Sequence, residues 1–244
     1  MNARFPFPRE HGGYLTLGGA ALAGVLLATA AAPAVGFALA LSGGFFARGP
    51  FERSAPWGRA DAVLLSLSSV AVVFGAWLAA RAGNVFGIAA GSAALAIVGG
   101  AWWARHTREH RAARFEIAAM AILGGAAGPI ALAGGLPVRS SLALAIVLGV
   151  HAAVSVPLVR SELRPRERPF HGRAETRAAV AIGAALAALL VLELPMAALG
   201  LIPRALHLVQ RRFGSLPRLR PAQVGLRETL ALLASTALAV YALR

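Results

Sequence analysis

Among 244 residues this chain has no cysteine and no lysine, only 10 acids, and charged side chains amount to 14% of the whole. Without cysteine there are no disulfides, no thiolate metal sites and no cysteine nucleophile. A soluble domain is about one quarter charged, so the shortage of charge excludes an ordinary soluble globular fold. What is abundant is apolar: 58% of residues are hydrophobic and the mean hydropathy is +0.68. All 24 cations are arginine, giving a formal charge of +14. In a membrane chain such an excess sets orientation and meets anionic lipid. Nucleic acid is not expected as a partner, because soluble nucleic-acid binders need a polar surface that this composition does not supply.

A spanning helix needs about 20 mostly apolar residues, so stretches free of charge mark the candidate spans. Tyr14 to Ala47 is uncharged and too long for one span, and Pro33 divides it into 14–31 and 34–47. The segments 62–80 and 84–104 form a second hairpin turning at Arg81, Gly83 and Asn84, residue types suited to a turn. A third hairpin, 115–133 and 140–159, turns through Gly134, Gly135, Pro137 and Arg139. The segments 178–193, 196–213 and 228–243 complete the set. The expected architecture is an all-α polytopic membrane bundle of eight or nine transmembrane helices. Residues 1–13 form a cytoplasmic N-terminal segment and residues 14–244 a single bundle.

The count turns on 196–213. If it spans, 20 of the 24 arginines fall on one side, leaving Arg81, Arg139 and Arg244 on the other and Arg204 inside the helix. If it lies in the interface, the arginines around Arg211 move to the poorer side. The positive-inside rule favours nine. Against this, Leu201, Ile202, Ala205, Leu206, Val209 and Phe213 make an apolar face opposite Arg204, His207, Arg211 and Arg212, the pattern of an interfacial amphipathic helix. A cleavable signal peptide ending at Ala28-Thr29-Ala30 is not expected, because the basic region before it is long and carries Pro6, Pro8, Glu10 and His11.

The loop after the second span reads Gly58-Arg59-Ala60-Asp61 and that after the sixth Gly172-Arg173-Ala174-Glu175. This echo fits a parallel repeat. It equally fits three separate pressures: a loop glycine, an arginine anchor, and an acid in the first helical turn.

Several motifs resemble those of the YwiC-like family of bacterial membrane proteins. They are Pro8-Arg9-Glu10-His11-Gly12-Gly13, the acid Glu116 at the start of a middle span, Arg160 closing the sixth span, and Val224 to Leu233. The resemblance covers most of the chain. It implies a polytopic bacterial membrane protein and carries no established activity; with the arginine count, the expectation is a bacterial inner-membrane protein with a cytoplasmic N-terminus. The layout of nine spans with polar loops after the second and sixth is also similar to UbiA-type prenyltransferases. Their aspartate-rich motifs are missing here, with Asp61 and Glu175 the acids at the corresponding helix starts, so magnesium-dependent prenyl transfer is not expected. Arginines could instead clasp a phosphate through paired donors.

Charge buried in a bilayer is costly unless it faces a cavity or a partner. Glu116, His151, Glu193, Arg204 and His207 fall inside spans, and Arg204, His207 and Arg211 share a helical face by spacing. Arg9, His11, Arg59, Glu116, His151, Arg160, Arg173 and Arg204 are the candidate ligand-binding residues. His11, Glu116, His151, Arg160 and Arg204 are expected to converge on a cytoplasm-facing cavity, while Arg59 and Arg173 hold an anionic or isoprenoid lipid head. A catalytic version would use His11 or Glu116 as general base. The alternative for His151 is a neutral imidazole bonded to a neighbouring helix, Ser155's turn or a carbonyl. Two other classes remain open: a noncatalytic scaffold or assembly factor, which needs no sizeable pocket, and a small-molecule transporter. His106, Glu109 and His110 spell the H-x-x-E-H order of inverted zinc peptidases, but they are flanked by arginines and lack a third ligand, so no metal or cofactor is expected. Gly124 and Gly128 before Pro129 form a small-residue packing face with a kink.

Overall fold

The computed structural model describes residues 11–52, 58–107, 113–163, 169–213 and 220–244, without the side chains of 11, 12, 52, 104, 105, 113, 163 and 169–174. All regular structure among them is helical: α1 (His11–Leu27), α2 (Ala31–Glu52), α3 (Arg59–Ala79), α4 (Asn84–His106), α5 (Ala113–Gly125), α6 (Ala127–Ala133), α7 (Val138–Leu163), α8 (Pro169–Val191), α9 (Ile202–Phe213) and α10 (Pro221–Leu243). Six described segments are long and apolar enough to cross a membrane: Ala31–Phe51, Arg59–Ala82, Asn84–Trp103, Arg114–Ala133, Val138–Glu162 and Pro221–Leu243. Their outer faces are apolar. On α3, Val63, Leu67, Val70 and Val73 are exposed at helical spacing. In water that stripe would be an association hazard; against lipid it is matched to its solvent.

The first break falls at residues 28–30 rather than at Pro33, which sits in the first turn of α2. There a missing N–H costs nothing, since that turn has no intrahelical acceptor for it. The backbone amides of Thr29 and Ala30 both donate to Gly134 O at 2.8 Å, tying this turn to the α6–α7 turn. The second hairpin turns through a 3-10 turn, Ala80–Ala82, and Gly83 at φ 141°, a backbone region open to glycine alone at little cost.

Helices α6 and α8 end alike. After α6, Gly135 N donates to Leu132 O and Leu136 N to Ala131 O, with Gly135 at φ 90°. After α8, Glu193 N donates to Leu190 O and Leu194 N to Leu189 O, with Glu193 at φ 60°. Both are Schellman ends, the second with glutamate where glycine is usual. A 3-10 segment, Pro195–Leu201, then leads into α9.

These contacts fix which helix ends lie together. At one end of the bundle Arg244, closing α10, reaches Leu26 O of α1, and Arg139 at the start of α7 pairs with Glu193 after α8. At the opposite end the last turns of α7 and α9 meet the second turns of α8 and α10, through Glu162, Arg211, Glu175 and Arg227. At about 2.0 Å per residue in the 3-10 segment and about 1.5 Å in α9, residues 195–213 cover roughly 32 Å. That is the thickness of a bilayer core, and it returns the chain from the Glu193 end to the Glu162 end.

Glycine sets the spacing of several helices. A side chain at Gly128 would strike Ser141 O and Ala145 Cβ of α7, and one at Gly43 would strike Ser68 O of α3. Such close approach gains dispersion, the main attraction between helices in lipid. The break at Ala126 between α5 and α6 lies between Gly124 and Gly128.

Candidate functional site

Helix α7 distributes the candidate residues. His151 and Arg160 are nine positions apart in the helix, about two and a half turns, so the two side chains point to opposite faces about 14 Å apart along the axis. Arg160 therefore meets α5, where its Nη2 lies 2.5 Å from Glu116 Oε1 and its Nε donates to Glu116 Oε2 at 2.8 Å. This is a bidentate pair, about one third exposed. His151 looks the other way, into α9 and α10. In place of a single convergence, the structure brings together Glu116 with Arg160 and, separately, His151 with Arg204.

The second group is the larger. Positions 151, 158 and 162 are spaced by seven and four residues, about two turns and one, and so share one face of α7. Arg204 is 1% exposed; its Nη2 donates to His151 Nε2 at 3.0 Å, its Nη1 lies 3.4 Å from His207 Nδ1, and it contacts Glu228 Oε2 at 2.8 Å. The Glu228 approach is a charge contact rather than an aligned hydrogen bond. His151 Nε2 accepts, so its ring proton sits on Nδ1 and goes to Ser235 Oγ at 2.7 Å. Its hydroxyl partner is thus on α10; Ser155 bonds Ala152 O within α7 instead. By the same reasoning His207 Nδ1 faces a donor, so Nε2 carries the proton and donates to Glu162 Oε1 at 3.1 Å.

Towards the arginine-rich end the network widens. Arg211 donates from Nη1 to Glu162 Oε1 (2.8 Å) and Leu158 O (3.1 Å), from Nη2 to Ser161 Oγ (2.8 Å), and lies 3.5 Å from Glu175 Oε1. Arg227 Nη2 reaches Glu162 Oε2 at 2.7 Å and Glu228 Oε1 at 3.0 Å. Three arginines face three glutamates, with His151 and His207 among them. Arginine and glutamate charges balance, with a carboxylate from each of α7, α8 and α10 and two of the three guanidinium groups from α9.

The chemistry available here follows from that balance. No arginine in the cluster has surplus charge to hold an external anion, so its first effect is to bind four helices together. Breaking one buried pair would leave an uncompensated charge, a loss of about 3–5 kcal/mol. Sequence reasoning named His151, Arg204, His207 and Arg211 but not Glu162, Arg227, Glu228 or Ser235 as their partners. The usable signals were the shared face of 151, 158 and 162 and the adjacent Arg227-Glu228 at the head of the last helix.

Arg59 opens α3 and is exposed. Arg9, together with the side chains of His11 and Arg173, lies outside the described residues. The repeated Gly-Arg-Ala-acid motif takes two roles: Asp61 Oδ2 accepts the Gly58 amide at 2.9 Å as a helix cap, whereas Glu175 pairs with Arg211. Of the H-x-x-E-H motif only His106 is described, bonded to Trp102 O at 2.9 Å; among the described residues no group of three or more acids and histidines is arranged to hold a metal. No protein-family model, curated protein or solved structure matches the chain.

Proposed function

We propose that this chain is a nine-span bacterial inner-membrane protein of the YwiC-like type, N-terminus cytoplasmic, that holds anionic lipid, isoprenoid phosphates included, at its arginine-rich end. The observation that carries the reading is a separation of two kinds of arginine. Arg204, Arg211 and Arg227 are neutralised inside the bundle by Glu162, Glu175 and Glu228. By their place in the chain, 20 arginines and nine of the 10 acids belong to the end where α7 and α9 finish, a formal excess of 11 positive charges. Arginine near an anionic leaflet contributes about 1 kcal/mol each, so this excess both orients the chain and concentrates acidic headgroups. The return of α9 to the Glu162 end supports nine spans over eight.

A second reading, a noncatalytic scaffold, draws on the charge balance of the buried cluster, in which each of the three guanidinium groups meets a carboxylate. Lipid retention separates the two. In nanodiscs containing phosphatidylglycerol and phosphatidylcholine, native mass spectrometry should find phosphatidylglycerol kept preferentially, and Arg59→Gln with Arg173→Gln should lower that preference. Equal retention of both lipids refutes lipid holding. The chain contains no cysteine, so single cysteines report sidedness directly. Ala60→Cys and Gln223→Cys should label from the cytoplasm and Asn84→Cys from the periplasm; Gln223→Cys labelling with Asn84→Cys refutes nine spans.

A further inference from the structure

Helices α1 and α10 do not close against each other along their outer edge. Between them runs a groove of about 200 Å³ lined by Tyr14, Leu15, Gly18, Leu22, Thr229 and Leu233, among others. Its walls are apolar, and Leu15, Leu22 and Leu233 are each about half exposed. Its one hydroxyl of the threonine type is occupied within the helix, Thr229 Oγ1 donating to Gly225 O at 2.9 Å. The groove is open beside exposed Gly18, where an added Cβ would meet nothing within 4 Å, whereas on buried Gly19, one residue away, it would meet Leu232. Gly18 is therefore not needed for helix packing, unlike Gly128.

The depth of the groove is informative. Both helices begin at the arginine-rich end, and the lining lies between about 5 and 18 Å below their starts at helical rise. That is one leaflet's half of a core about 30 Å thick. Above it stands the end with the excess positive charge, where exposed Arg220 caps α10.

We infer that the α1–α10 groove seats one acyl chain of an anionic phospholipid, whose headgroup rests on the arginine-rich end. The inference rests on the proposed function and assigns it a place. An apolar, half-open channel confined to one leaflet admits a single flexible chain edge-on. The charge above it selects the headgroup, whereas the opposite end carries three arginines and Glu193.

The test fills the groove without touching the packing. Full-length wild type and Gly18→Leu are reconstituted in nanodiscs of equal phosphatidylglycerol and phosphatidylcholine, and retained lipid is counted by native mass spectrometry. Wild type should keep a phosphatidylglycerol whose occupancy falls about tenfold in Gly18→Leu, the equivalent of about two buried methylenes. The remaining phosphatidylglycerol preference should persist in the variant. Leu22→Trp, which narrows the groove from its exposed wall, should reproduce the loss if Gly18→Leu fails to reach the membrane. Equal occupancy in wild type and variants overturns the groove and leaves the proposed function standing. Retention of phosphatidylcholine in the same seat, or a wild-type dimer that Gly18→Leu dissociates, also overturns it, the latter by making a second copy the occupant. Loss of any headgroup preference in wild type itself refutes the proposed function.

Discussion

Replacing Arg204 by methionine keeps an unbranched apolar stem, shorter than the original side chain, and removes its charge from a site that is 1% exposed. Three contacts vanish: to Glu228, His151 and His207. Hydrogen bonds to charged groups contribute about 1.5–3 kcal/mol each, but Glu228 retains Arg227 at 3.0 Å and His207 retains Glu162 at 3.1 Å. His151 Nε2, His207 Nδ1 and Glu228 Oε2 lose the group that faced them, but Glu228 keeps a cationic partner. The expected loss is therefore at the low end of the range for a broken buried pair, about 3 kcal/mol. Glu228→Gln alone should cost a similar amount, because it turns the balanced cluster positive beside two guanidinium groups. The double variant Arg204→Met with Glu228→Gln restores neutrality and should be more stable than the sum of the singles by about 1.5–3 kcal/mol. Equilibrium unfolding in mixed micelles, read by far-ultraviolet circular dichroism, closes the cycle. Single losses under about 1 kcal/mol with no coupling would refute the claim that this pair is desolvated and specific.

The Glu116–Arg160 pair is about one third exposed, so solvent screening reduces its worth to about 1 kcal/mol. Glu116→Gln should lower stability by no more than that in the same unfolding assay, and the exchange Glu116→Arg with Arg160→Glu should recover part of it. Gly128→Leu should be far more harmful, because its side chain meets backbone oxygen at Ser141 and the side chain of Ala145. Overpacking of this kind costs about 1–3 kcal/mol, and separation of α6 from α7 should appear as loss of folded protein on size-exclusion chromatography. Glu193→Gly should stabilise by about 0.5 kcal/mol. Relief of the left-handed backbone at φ 60° outweighs the extra unfolded-state freedom of glycine, and the lost Arg139 pair is largely exposed.

The hairpin turns were legible because they depend on local chemistry: Gly83 and Gly135 occupy turn positions that the sequence marks openly. Helix ends were less so. Charge-free runs place the sixth span at 140–159 and the last at 228–243, whereas α7 continues to Leu163 and α10 begins at Pro221. A helix does not stop at the first charge when neighbouring helices supply an opposite one, and Arg160, Glu162 and Arg227 all lie in those extra turns. For the same reason the partners in the candidate site were missed. A pair such as Arg204 and Glu228 depends on how two helices are rotated against each other, and no periodicity in either helix contains that rotation.

Helix α9 shows how one pattern supports two folds. Its sequence separates an arginine and histidine face from a leucine and valine face as sharply as an interfacial helix would, yet Leu206, Val209 and Phe213 are exposed while Arg204 and His207 are buried. The amphipathic period states only that two faces differ. Which face turns inward is decided by whether the rest of the chain can neutralise the polar one. Here Glu162, Glu175 and Glu228 arrive on three other helices, the polar face becomes the interior, and the apolar face is released to lipid. The decisive residues for α9 thus lie outside α9. Removing a glutamate from the surrounding helices should disturb its placement as much as removing one of its own arginines.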